Sequence, residues 1–289
     1  MESAQPISFA VIGGSGLYAM PGLTEVEERR ITTPFGEPSD AIVIGTYHGQ
    51  RIAFLPRHGR GHRYSPSEVP YRANIWALKS LGVKHVISVS ACGSLREHLR
   101  PRDIVVPDQL FDFTKGKRAY SFFENGIVGH VSVGRPFSQS LSAALAQAVR
   151  QAGGTVHEGG TFITIEGPRF STKAESLAFR AWGCDIIGMT ACPEAFLARE
   201  AELDFAIMAH VTDYDVWHEA EGEVTVDMVV QRLHDNLALA QQAIANLASV
   251  VPTLPHESAG AMKFAIMTAR ERVPAEARER LRLLIGDYL

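Results

Sequence analysis

Four short stretches combine residue types that can do chemistry. Thr212-Asp213-Tyr214-Asp215 closes an apolar run with two carboxylates at i and i+2. In an extended strand these share one side. A free aspartate, with a pKa of about 3.9, is a poor acid at neutral pH, but burial beside a second carboxylate can raise it until it holds a proton. Leu55-Pro56-Arg57-His58 ends another apolar run with a guanidinium suited to clamping an oxyanion through two parallel hydrogen bonds. Ser90-Ala91-Cys92-Gly93 and Gly188-Met189-Thr190 end two more runs in small or hydroxyl-bearing residues. Taken singly, Asp-x-Asp suits a solvated turn, Arg57 a basic surface loop and Met189 the core. His58 and His62 have the H-x-x-x-H spacing of a helical metal site, but Gly59 and Gly61 argue against a helix there.

A fifth stretch, Phe9–Gly22 (FAVIGGSGLYAMPG), lays Gly14, Gly16 and Ala19 on a dinucleotide-binding fingerprint. That fold needs a long helix directly after the glycines. Pro21 and Gly22 interrupt any such helix, and the charged segment 24–38 has no 3.6-residue period. A small anion nest completed by the Ser15 hydroxyl, or a plain tight turn, fits better than NAD.

These stretches sit at the ends of short strands alternating with helices. Strands are predicted over 7–12, 41–44, 50–55, 85–89, 103–107, 161–165, 185–187 and 205–211. Helices are predicted over 71–81, with Pro70 in the first turn, and over 140–151 and 172–182. One long helix is expected over 225–247, with Thr225 as its cap, and a last over 274–285. Alternation of this kind means an α/β fold on a parallel or mixed sheet. Open sheets bind ligands at strand C-termini, so several polar strand ends can converge on one anion. No linker or repeat divides the 289 residues, and one domain over 1–289 is expected.

Composition excludes other classes. The chain carries 28 Lys+Arg against 32 Asp+Glu, a net charge of −4, which gives no footprint for nucleic acid or membrane. Lys115-Gly116-Lys117-Arg118, the one dense basic cluster, is read as a solvated loop. No apolar run reaches the roughly 20 residues of a membrane span. The first residues lack the pattern of a signal peptide. Cys92, Cys184 and Cys192 fit reduced thiols in a cytoplasm.

Placed side by side, the segments 12–18 (IGGSGLY), 56–62 (PRHGRGH), 71–82, 91–97 (ACGSLRE), 164–172 (TIEGPRFST), 188–203 and 212–217 (TDYDVW) resemble, in order, the trimeric purine nucleoside phosphorylase superfamily. The likeness is greatest to its S-methyl-5′-thioadenosine branch. The resemblance implies a three-layer α/β fold with a mixed, partly barrel-like sheet, and a homotrimer or a hexamer. It implies phosphorolysis of 5′-methylthioadenosine to adenine and 5-methylthioribose 1-phosphate, with inorganic phosphate as co-substrate and neither metal nor organic cofactor. The phosphate site maps onto Ser15, Arg57, His58, Ser90, Ala91 and Thr190. Met189 matches the residue against the sugar, Asp213 and Asp215 the purine-binding pair, and Ser171 and Val226 positions tied to substrate choice. His130 matches a histidine that reaches the 5′ end of a neighbour's site. On this reading Asp213 protonates N7, and Asp215 tunes it or contacts the 6-amino group.

A carboxyl facing N7 and a 6-amino group suits adenine, whereas hypoxanthine and guanine present acceptors at both positions. The 6-oxopurine branch commonly carries Asn at position 213, so a 6-oxopurine or methylthioinosine phosphorylase is the nearest rival. A hydrolytic nucleosidase, an NAD-dependent dehydrogenase and a non-catalytic binding module stand further off. Pro70, Phe113, Arg135 and His210 depart from the branch's usual residues. The Phe113 and His130 neighbourhood is expected near a subunit boundary and the 5′ pocket. Val226 and Val229 suit an apolar 5′ group or plain core packing equally.

Overall fold

The computed structural model describes residues 6–218 and 225–289, apart from the side chain of Ser15. Among the described residues, eleven strands form one branched sheet: β1 (Ile7–Gly13), β2 (Thr24–Arg29), β3 (Ile42–Tyr47), β4 (Gln50–Pro56), β5 (His85–Ser94), β6 (Ile104–Val106), β7 (Gln109–Phe113), β8 (Val156–Glu158), β9 (Thr161–Ile165), β10 (Ile186–Gly188) and β11 (Asp204–Asp213). Its main path runs β2-β3-β4-β1-β5-β10-β9-β7, and a branch runs from β5 through β11 and β6 to β8.

Strand β5 is the branch point. Along one edge it pairs with parallel β11 over its whole length, from His85↔Asp204 to Gly93↔Asp213. Along the other it pairs with parallel β1 at Val86–Ser88 and antiparallel β10 at Gly93–Ser94. Between these contacts the edge of residues 89–92 opens into a seam. The strand order divides there, which is where open α/β sheets take ligands.

Helices cover both faces. α1 (Tyr71–Ser80), α4 (Ala191–Glu200), α7 (Ala275–Arg280) and α8 (Arg282–Ile285) bury Ile75, Leu78, Leu197, Leu281 and Leu284 against one face. α2 (Gln139–Gln151) and α6 (Leu237–Leu247) bury Leu141, Leu145, Ile244 and Leu247 against the other. α3 (Lys173–Ala181) brings Phe179 against Ile163 and Ile187 in a smaller cluster. Among the described residues no helix is long and apolar enough to cross a membrane.

The expected α/β alternation is present, and the differences have local causes. β2 is an exposed edge strand, TEVEER, whose charges are what a sheet edge carries to discourage further pairing. The expected long helix breaks into α5 (Val226–Asp235) and α6 at Asn236, which is buried and donates from Nδ2 to the Arg102 carbonyl. Pro70 is the N-cap of α1. The basic cluster is not wholly solvated: Lys115 and Lys117 are exposed, but Arg118 is buried.

Glu200 at the end of α4 gives the fold a pH dependence. Burial pushes its carboxyl up to about 7, against the Phe122 amide and Ser121 hydroxyl that donate to it. A carboxyl raised in the folded state contributes stability below its unfolded pKa and loses it as pH rises through the folded value. Glu200→Gln is therefore expected to stabilise the protein by on the order of 2–3 kcal/mol above pH 8 and by little at pH 4. Denaturant melts at the two pH values check this, and equal gains at both would refute it.

Candidate active site

The seam opens into a cavity of about 950 Å³. Arg57, His58, Ser90, Ala91, Met189, Thr190, Ser171, Asp213, Asp215 and Val226 all line it, with Gly13 and Gly14 of the glycine loop. Ten of the twelve expected site residues thus converge from stretches far apart in the chain. The Ser15 side chain lies outside the described residues. His130 does not line the cavity in this chain; it is exposed, and its amide donates to the Ala265 carbonyl. Phe113 also lies elsewhere, packed on Phe179 and Trp182.

The glycine loop leads into a single 3₁₀ turn, Ser15–Ala19, and then into β2. The helix a dinucleotide would require is not there. Gln241 of α6 donates to the Gly16 carbonyl, and the turn rests on that helix.

Arg57 differs from its expected role. It is only 3% exposed, and its Nε and Nη2 donate to Glu194 at 2.8 and 3.0 Å. Nη2 also donates to Ser88 Oγ at 2.6 Å and Nη1 to the Val89 carbonyl at 3.1 Å. The two-bond face is therefore spent on Glu194, and no such face remains to clamp an oxyanion. Burial opposes its charge, but the Glu194 carboxylate outweighs that and holds the guanidinium protonated above its ordinary range. What Arg57 supplies is a fixed positive charge at the cavity wall, pinned to the unpaired edge of β5. Glu194 and Ser88 are site-positioning residues that the sequence did not reveal.

His58 stands next to it. Its Nδ1 is 2.9 Å from the Tyr64 carbonyl, which can only accept, so Nδ1 carries the hydrogen. Burial, then the Arg57 charge, holds this imidazole down to about 4. It is neutral at physiological pH, with Nε2 as a bare acceptor. Thr190 precedes α4 and makes no side-chain capping bond.

Arg118 joins two walls of the cavity. Its Nη1 donates to the Met189 and Cys192 carbonyls at 2.6 and 2.7 Å, and its Nη2 to the Glu166 carbonyl at 2.7 Å. One guanidinium thus fixes both the Met189-Thr190 turn and the segment leading to Ser171. Ser171 is further set by the capping box that starts α3, Thr172 with Glu175.

The carboxylate pair is held as a unit. Thr212 Oγ1 donates to Asp213 Oδ2 at 2.6 Å, and the Asp215 amide donates to Asp213 Oδ1 at 2.8 Å. Asp215 has a left-handed backbone (φ 50°), which Asp tolerates better than most residues. Behind it, the Trp217 indole donates to the Ser94 carbonyl at 2.7 Å, and the Arg180 guanidinium covers its ring. A Cβ at Gly93 would lie 2.9 Å from Asp213 Oδ1, so only glycine lets β5 pass this carboxylate undisturbed. Asp215 is 6% exposed, and its Oδ2 has no partner among the described residues. Burial, with the Asp213 charge adding to it, pushes the Asp215 carboxyl up to about 6. Asp215 can thus hold a proton at mildly acid pH, beside the expected donor Asp213, which is equally buried. Both Asp213 oxygens accept a hydrogen bond from the protein.

The sequence profile of the phosphorylase superfamily matches residues 8–251. The chain belongs to that superfamily. Among the relatives of this superfamily member, the S-methyl-5′-thioadenosine phosphorylase of Chloroflexus aurantiacus is 54% identical over 282 residues, covering 97% of this chain and 98% of its own. A methylthioadenosine phosphorylase from an Antarctic soil metagenomic library superposes with a TM-score of 0.92 at 47% identity, over 96% of this chain and 99% of its own. The methylthioadenosine phosphorylase of Schistosoma mansoni, solved in complex with adenine, superposes at 0.84 with 36% identity, over 89% of this chain and 98% of its own. The expected fold class and family are borne out.

Proposed function

We propose that this phosphorylase cleaves 5′-methylthioadenosine with inorganic phosphate, releasing adenine and 5-methylthioribose 1-phosphate. The observation that carries this reading is the sharing of one cavity by the anion-friendly strand ends and the Asp213-Asp215 pair. The names of the relatives support the choice of nucleoside.

Phosphate sits among the glycine loop, Ser90, Ala91 and Thr190, facing the fixed charge of Arg57. His58 Nε2 accepts a hydrogen bond from the P–OH of monohydrogen phosphate, which keeps its proton. That leaves the unprotonated oxygens to face the anomeric carbon. As the C1′–N9 bond breaks, positive charge grows on the sugar and negative charge on the purine. The phosphate stabilises the first and then attacks C1′, a catalysis by position and electrostatics. Asp215 delivers a proton to N7, and the Asp213 carboxylate accepts from the 6-amino group. Met189 lies against the sugar, and Val226 and Val229 face the methylthio group. The residues require neither metal nor organic cofactor for these steps.

The active form is a homotrimer in the cytoplasm. Phe264 and Met267, 89% and 66% exposed, flank the strand bridge Gly129↔Ile266, next to His130. A neighbouring subunit would cover this apolar strip and bring His130 to the 5′ end.

The test is release of the free base, adenine from methylthioadenosine and adenosine and hypoxanthine from methylthioinosine and inosine, with and without phosphate. Phosphate-dependent release from the adenine nucleosides is expected. Equal turnover without phosphate would make the protein a hydrolase, and preferred release of hypoxanthine would assign it to the 6-oxopurine class.

A further inference from the structure

Asp213 reaches the cavity through an irregularity in its own strand. Along β11, Val211 stands opposite Cys92 of β5 and Asp213 opposite Gly93, so Thr212 is an extra residue with no counterpart on β5. The antiparallel pairing with β6 takes in only Ala209 and His210. Thr212 is therefore a β-bulge, a device that re-aims a side chain beside an active site. Phe205, Ile207, Ala209 and Val211 pack in the core under α1 and α4. Strict alternation would send Asp213 to that packed side as well. With the extra residue inserted, Thr212 and Asp213 both line the cavity.

A bulge takes backbone groups out of the ladder, and buried ones need another partner. Thr212 is 1% exposed. Its hydroxyl is committed to Asp213 Oδ2 at 2.6 Å, with the Cys92 carbonyl at 3.2 Å. Its carbonyl finds a partner outside the sheet: Arg232 Nη1, on α5, donates to it. An arginine in the last turn of a helix ordinarily serves that helix's own carbonyls or faces solvent. This one is half-buried and turned across to β11. The same helix places Val229 and Leu233 on the cavity wall. A second anchor of α5, Asp235 with Arg102 at 3.1 Å, lies at the surface, where such pairs hold little.

We infer that Arg232 is a positioning residue for base recognition: it caps the Thr212 bulge, holds Asp213 toward the base, and so couples the helix over the cavity to the choice of purine. This rests on the proposed phosphorolysis, with Asp213 as the group that faces position 6 of the base. Arg232 does not itself line the cavity; it acts through the backbone of Thr212.

The experiment measures kcat/KM for methylthioadenosine and methylthioinosine, and KM for phosphate, in the wild type, Arg232→Met, Arg232→Lys and Asp235→Asn. Arg232→Met keeps the aliphatic stem and removes the donor. It is expected to lower the methylthioadenosine-to-methylthioinosine ratio by about tenfold, the size of one lost hydrogen bond from a charged group, with KM for phosphate unchanged. Arg232→Lys, which keeps the charge and a donor, is expected to restore part of the ratio. Asp235→Asn releases the surface anchor of the same helix and is expected to leave the ratio alone. A ratio unmoved in Arg232→Met overturns the inference. So does an equal fall for both nucleosides, or a ratio that falls as far in Asp235→Asn, since either would make Arg232 only a support of α5. Should Arg232→Met fail to fold, Arg232→Gln, too short to reach the bulge, is held to the same expectation. Calorimetric binding of free adenine and free hypoxanthine reads the same preference without turnover. If the wild type cleaves neither nucleoside and Arg232→Met still loses its preference for adenine, the proposed function fails and this inference stands. If the wild type cleaves methylthioadenosine with phosphate and the ratio does not move in the variant, the reverse holds.

Discussion

Asp213→Asn is expected to shift base preference by about 100-fold, away from 6-amino and toward 6-oxo nucleosides. The Asp213 carboxylate can only accept, which matches the amino group of adenine and repels the oxygen of hypoxanthine. Asparagine keeps an oxygen to accept from the Asp215 amide and gains an NH₂ that can donate to O6. The companion variant, Asp215→Asn, is expected to lower kcat for methylthioadenosine by about 10²–10⁴-fold, the usual range for a lost general acid. Its effect should depend on pH. With the Asp215 carboxyl near 6, the free enzyme holds the proton below that pH and sheds it above. Wild-type kcat/KM should then fall on the alkaline side of about pH 6, and that limb should vanish in Asp215→Asn. Relative kcat/KM for inosine and adenosine checks the first expectation and a pH profile the second. A base ratio that moves less than about threefold would remove Asp213 from base recognition.

The second large effect is on stability. Glu194→Gln leaves the Arg57 guanidinium buried without its counter-charge. Breaking one partner out of such a pair costs about 3–5 kcal/mol, well above any surface ion pair. For a chain of this size the loss corresponds to a drop of roughly 6–20 °C in Tm. The double variant Arg57→Leu/Glu194→Leu should lose much less than the sum of the single variants, since no charge is then stranded. Thermal melts of the four proteins supply the cycle, and additive losses would show that the two side chains do not depend on each other.

The site was legible in the sequence where chemistry lies along the chain, and hidden where it lies across it. The Asp213-x-Asp215 spacing, the polar strand ends and the broken glycine fingerprint each carry their meaning within a few residues. The partner of Arg57 is 137 positions away, inside an ordinary helix. Arg118 follows two lysines and looks like one more surface cation, although it is the tie between the Met189 and Ser171 walls. Which carboxyl keeps a proton depends on the Thr212 hydroxyl and on burial, neither of which is a property of spacing. For the fold, interior strands announced themselves by apolar runs, whereas the exposed edge strand β2 is written in charges. The break at Asn236 follows from a bond to Arg102, far off in sequence.

α5 has an amphipathic sequence and yet buries no residue. Its Val226, Val229, Val230 and Leu233 look down on the cavity and not on packed side chains. Most helical stability comes from packing an apolar face, so this segment is short of its own core. A nucleoside with a greasy 5′ tail would complete that core. Amide hydrogens of α5 should therefore exchange quickly in the free protein and slow markedly on saturation, while those of α6 change little. On this view substrate is a structural component of the helix above it, and departure of the sugar phosphate loosens that helix again.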